Sequence, residues 1–227
     1  MKRATNDFRF LFFSLIAMSL LGPILGPVFY SYGILEMTFT AVMVSAVARS
    51  ERSQGQMAIS LVLGIPALLS MISGRFTQDG FLPIIQSVLV AAFLGYIAYV
   101  VLNSILRSRG VTSHEVFGAL SVYLLLGMTW EFFYAICLQF DPGAISFPEG
   151  TYTINSVPSE SGASMQSLTY FSFVTLSTLG YGDILPVSRL ARTLAWMEAV
   201  FGQLFLAVLV ARLVGLMTTQ KNPGENR

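Results

Sequence analysis

"TLSTLGYGD", residues 175–183, decides how this chain is read. Two glycines flank a tyrosine, hydroxyl side chains precede them and an aspartate follows. Glycine adopts φ > 0 at little steric cost, so glycines on alternate positions let consecutive carbonyls point the same way. The setting makes so much bare backbone unusual. The chain has 227 residues, 54% hydrophobic and only 11% charged, where a soluble globular chain carries about 25%. It lacks the polar surface to face water on all sides and reads as an integral membrane protein.

Several function classes fall away on composition. A net charge of +1 gives no ground for nucleic-acid binding. One cysteine, Cys137, excludes an internal disulfide. One histidine, His114, lies in a polar connection, so no His/Cys metal cluster can be assembled. The GxSxG, HExxH and phosphate-loop signatures are absent. The expectation is no enzyme and no cofactor.

A membrane span needs about 20 mostly apolar residues. On that measure spans fall near 8–24, 27–48, 56–74, 82–106, 115–139 and 188–217, with Gly22-Pro23 and Gly26-Pro27 breaking the first long stretch. Ten of the thirteen Lys and Arg lie on one side of this arrangement, and only Arg75, Arg189 and Arg192 on the other. The basic side is cytoplasmic. Six spans with both termini cytoplasmic in the plasma (inner) membrane follow, and removing residues 2–30 as a leader would spoil that alternation.

Between the last two spans, residues 140–164 are polar and carry three acids and no bases. Residues 165–177, "MQSLTYFSFVTLS", form a helix-like stretch, which at 1.5 Å per residue reaches only about 20 Å. That is too short to cross, so it must be re-entrant. Irregular backbone at membrane depth is tolerated only inside protein or along a watery path. The 175–183 stretch therefore lines such a path.

Here the residues carry a resemblance. Thr178-Leu179-Gly180-Tyr181-Gly182, followed by Asp183, resembles the selectivity filter of the prokaryotic tetrameric potassium channel family, with Leu179 where Val or Ile is usual. The order of span, short helix, filter and span over residues 115–217 is similar to the two-span pore of that family. The resemblance implies K⁺ coordinated at Thr178, Leu179, Gly180 and Tyr181 as permeant ion. It implies a supporting cuff in which Tyr170 and Phe171 pack behind Tyr181, with Thr175 and Asp183 beside them and Tyr170 bonded to Asp183. It also implies an inner-helix hinge at Gly202, for which close helix packing is the other reading. One filter per chain supplies a quarter of a ring, so a homotetramer about a fourfold axis is required.

Other residues are read from their own positions. Glu131 and Glu198 are carboxyls inside spans, which are functional candidates by default. On a helical wheel Glu198 lies away from Gln203, Leu206 and Val210. If those three line the cavity, Glu198 faces protein behind the filter, where a hydroxyl of the short helix could hold it. Both acids are candidate filter supports, and each has a bland reading as a satisfied structural carboxyl.

The sequence thus predicts an all-α membrane protein with six transmembrane helices, a re-entrant pore helix and a filter loop. Residues 1–110 form a four-span domain without voltage-sensor arginines, 111–220 the pore domain and 221–227 a short cytoplasmic tail. The expected function is passive, K⁺-selective conduction. A poorly selective monovalent cation channel is the alternative, and a secondary cation transporter the alternative of another class, although only one half has an interrupted helix. The expected partners are other copies of the chain and membrane lipid, with no soluble partner.

Overall fold

The computed structural model describes residues 8–25, 39–40, 54–73, 81–108, 110, 112–148 and 165–221. Within them run α1 (Phe8–Leu25), α2 (Gln54–Ser73), α3 (Leu82–Arg107), α4 (Ser113–Phe140), α5 (Met165–Leu176) and α6 (Arg189–Lys221). Two strands of two residues each, β1 (Ile145–Ser146) and β2 (Leu185–Pro186), interrupt the helical pattern.

Helix boundaries follow local chemistry. Pro83 stands in the first turn of α3, where its missing N–H is not needed. At the start of α4 the Thr112 side chain accepts from the His114 backbone N–H, and Glu115 reaches back to the Thr112 N–H. This capping box satisfies donors that a helix start leaves open. His114 is tied down beside it, stacked on Phe8 with ring centroids 4.2 Å apart. Pro66 lies inside α2, an interruption that membrane helices tolerate.

Among the described residues four helices are long and apolar enough to cross a membrane: Gly55–Ile72 in α2, all of α3 and α4, and Arg189–Arg212 in α6. A shorter apolar stretch, Phe8–Leu21, lies in α1. The span expected at 27–48 falls outside the described residues apart from Phe39 and Thr40, which are helical. Phe39 is buried against Phe93 of α3. Of the expected tail, only Lys221 is described, as the last residue of α6.

Packing runs from α2 onto α3, from α3 along α4, and from α1 against α4, with α5 wedged between α4 and α6. One core joins Leu11 and Leu15 of α1, Phe93 and Ile97 of α3 and Leu125 of α4. A second gathers Trp130 and Tyr134 of α4, Leu168 and Phe171 of α5, and Ile184 beyond them. The two strands pair antiparallel, Ile145 opposite Pro186 and Ser146 opposite Leu185. They clip the chain leaving α4 to the chain that follows residues 178–183. At the far end of α6, the Arg212 guanidinium donates to the carbonyls of Ile105, Leu106 and Ser108 at 2.8, 2.7 and 2.9 Å. Those carbonyls belong to the end of α3, where a positive charge is favoured. By contrast, the Arg189–Arg212 stretch of α6 has only 11% of its residues buried within the chain.

Candidate functional site

The twelve residues of α5 end at Leu176, and the chain then turns sharply. The Ser177, Thr178 and Leu179 N–H groups donate to the carbonyls of Phe173, Thr175 and Val174 at 3.1, 2.9 and 2.9 Å. The last turn of α5 therefore closes on itself and launches the 178–182 segment from a fixed point.

In that segment Thr178, Gly180 and Gly182 have φ of 56°, 61° and 79°, while Leu179 and Tyr181 stay outside the left-handed region. Alternating handedness turns successive peptide carbonyls to one side. Glycine reaches this region freely, but threonine does so at a cost of about 1–2 kcal/mol. Such strain persists only where the surroundings impose it, and it gathers at functional sites. Thr178 is held at two points: its hydroxyl donates to the Ser177 carbonyl at 2.7 Å and accepts from the Gln203 amide at 3.1 Å. The sequence sets Gln203 among the candidate cavity-lining residues; in the structure its amide is bonded to Thr178 at the start of the 178–182 segment. All five residues from Thr178 to Gly182 are exposed in the single chain.

On the other side of the segment, Tyr170 stacks parallel to Tyr181 with ring centroids 6.4 Å apart. Its hydroxyl donates to Asp183 at 2.8 Å, and the Ile184 N–H donates to the other Asp183 oxygen at 3.0 Å. The Tyr170 hydrogen bond holds the Asp183 carboxyl below the usual carboxylate range, and the same bond raises the Tyr170 phenol. Phe171, expected beside Tyr181, makes its ring contact elsewhere. It lies edge-on to Tyr134 of α4 at 4.8 Å, because successive residues of a helix point in different directions. Thr175 contributes its backbone carbonyl to the turn at Thr178.

Both membrane carboxyls stand behind α5. Glu198 of α6 is fully buried, and accepts from Ser172 of α5 at 2.5 Å and from Tyr134 of α4 at 2.6 Å. Ser172 also lies 2.7 Å from the Gly127 carbonyl, and its single hydroxyl proton serves one of the two acceptors at a time. Glu131 of α4 accepts from Thr169 of α5 at 2.8 Å. Three helices are thereby linked through polar side chains at the depth of the short helix.

Gly202 sits where α6 crosses the end of α5. A Cβ there would stand 2.2 Å from the Leu176 carbonyl oxygen, so the glycine permits a close backbone approach within an unbroken helix. Leu206 and Val210 are exposed on the following turns. A hydroxyl of the short helix is expected at Glu198 from the sequence, and Ser172 is that hydroxyl; Tyr134 and Thr169 as partners were missed. Tyr134 bonds Glu198, 64 residues on, and Thr169 bonds Glu131, 38 residues back, so spacing along a single helix carries no signal for either pair. Among the described residues no group of three or more His, Cys, Asp or Glu could hold a metal ion.

Comparison with known proteins fits this geometry. Residues 116–219, a little under half the chain, match the family model described as ion channel. The inward rectifier potassium channel Kirbac3.1 of Paramagnetospirillum magnetotacticum is 41% identical over 49 residues, which are 22% of this chain and 17% of that protein. Protein LctB of Bacillus caldotenax is 29% identical over 131 residues, 54% of this chain and 93% of LctB. No solved structure matches. The match runs through α4, α5 and α6 and the loop between them, which have the form of an ion-channel domain and not of an enzyme, in a chain with four membrane-length apolar helices among its described residues.

Proposed function

We propose that the protein is a potassium-selective channel, a homotetramer in which four copies of Thr178–Gly182 surround one ion path. The observation that carries this reading is the alternation of positive φ at Thr178, Gly180 and Gly182. Four such strands about an axis stack the carbonyls of Thr178, Leu179, Gly180 and Tyr181 into oxygen rings that replace the water shell of K⁺. The C-terminal end of α5 adjoins the base of the filter, and the negative end of its dipole favours a cation there. Gln203 steadies the same point through Thr178.

The fourfold assembly is supported by one filter per chain and by α6. Val200, Leu204 and Val208 are large, apolar and exposed in the single chain, which suits helices that pack on other copies or on lipid. Similarity to a protein named as a potassium channel supports the choice of ion. Six spans, with both termini on the cytoplasmic side of the plasma (inner) membrane, complete the reading.

The test is reconstitution of the purified protein into liposomes. K⁺ should leave down its gradient while Na⁺ is held back, and particles should show four subunits. A conducting monomer or dimer, or equal passage of both ions, contradicts the proposal.

A further inference from the structure

A cavity of about 440 Å³ lies beside α5, where α1, α2, α3 and α4 meet it. Its volume is in the range of small-molecule sites, which pair apolar walls with a few convergent polar groups. Met18, Met71, Met128 and Met165 line it from four different helices. Methionine is flexible and polarizable, so such walls adapt to the shape of an occupant.

The polar part of the wall is specific. Glu131 lines the cavity and is 7% exposed. One of its carboxyl oxygens accepts from Thr169; among the described residues no hydrogen bond reaches the other. A buried carboxyl oxygen without a donor is costly, and no Lys or Arg lines the cavity to supply one. Gln86 and Gln166 are in the same wall, with amides able to donate or accept. What the wall lacks is a cationic donor for that oxygen.

We propose that this cavity is a binding site for an amphiphilic amine, with its ammonium on the free oxygen of Glu131 and its apolar body among the four methionines. The site goes beyond the conduction proposed above, because its residues bind whether or not the pore selects K⁺. Its rear wall nevertheless includes Thr169 and Tyr170 of α5, and Tyr170 holds Asp183 at the mouth of the filter segment. An occupant therefore rests on the helix that positions the filter.

The test is fluorescence titration of the full-length protein in detergent with dansylcadaverine, an apolar fluorophore joined to a primary ammonium. Its N-acetyl analogue, which lacks the charge, serves as the control. Saturable binding of one probe per chain is expected, at least tenfold weaker for the acetylated analogue. Glu131→Gln should abolish that preference. Ala135→Phe on α4 and Ser19→Phe on α1 fill the cavity from different walls, and each should weaken the amine at least tenfold in protein that elutes as the unmodified protein does. Unsaturable partition, alike in the unmodified protein and the filled variants, overturns the proposal. So does equal affinity for the amine and its acetylated analogue, a comparison that needs no variant. Ion flux plays no part in the titration, so failure of K⁺ selectivity and failure of this site are separate results.

Discussion

Gly202→Ala places a methyl group 2.2 Å from the Leu176 carbonyl oxygen, at least 0.8 Å inside any contact a real Cβ makes with its neighbours. The obstacle is backbone at the end of α5, so no rotamer change relieves it. Either α6 moves outward or the last turn of α5 does, and that turn launches Thr178. Overpacking of this kind costs about 1–3 kcal/mol, and a backbone obstacle puts it near the upper end. Alanine returns about 1 kcal/mol through its higher helix propensity. The net is a destabilisation of about 2 kcal/mol, which for a chain of this size lowers the melting temperature by roughly 4–8 °C. The assay is thermal unfolding of the purified protein in detergent, paired with K⁺ and Na⁺ flux from liposomes. Selectivity should fall together with stability, because the displaced carbonyl lies two residues before Thr178. A melting temperature unchanged or raised, with selectivity intact, refutes the close approach. It would leave the glycine free to act only as a point of bending.

Three further outcomes are expected. Glu198→Gln keeps an acceptor for Tyr134 and should cost about 1 kcal/mol, whereas Glu198→Ala leaves a void and an unmatched phenol and should cost about 2–5 kcal/mol. Equal thermal stability of the two variants contradicts this. Tyr170→Phe removes the hydrogen bond that most lowers Asp183. A depressed carboxyl contributes stability above its ordinary value, about 3.9, and loses it as pH falls through the folded-state value. The variant should therefore lose flux at a higher external pH than the unmodified protein, and superimposable acid limbs would count against the bond. Finally, Arg107, the only Lys or Arg in α3, stands at its very end, and one charge crossing the field gains only about 2.3 kcal/mol per 100 mV. Single-channel recording should give a shallow voltage dependence; a steep curve of about ten gating charges refutes that.

Much of this organisation was legible in the chain because it rests on local chemistry. The short length of 165–177, the alternate glycines and the following proline mark a helix that stops and a loop that turns. Wheel geometry turns Glu198 away from Gln203, Leu206 and Val210, and its carboxyl is buried against Ser172 and Tyr134. What stayed hidden depends on contacts between distant residues. Positive φ at Thr178 cannot be read from a residue that ordinarily avoids it. Strands of two residues, β1 and β2, are too short to show alternation. Arg212 entered only as a charge that orients the last span, since its three carbonyl partners lie more than a hundred residues earlier.

The central claim is that alternate backbone handedness at Thr178, Gly180 and Gly182 builds a K⁺-selective filter. The most direct measurement is the reversal potential of the reconstituted protein with K⁺ on one side and Na⁺ on the other, repeated for Gly180→Ala. A Cβ at Gly180 meets no neighbour within its own chain, yet φ there is +61°, so alanine pays a left-handed cost of about 1–2 kcal/mol and adds bulk next to the ion path. The unmodified protein should reverse far toward the K⁺ equilibrium potential, and Gly180→Ala should carry no selective current. A reversal near zero in the unmodified protein, or selective current retained in Gly180→Ala, would contradict the account.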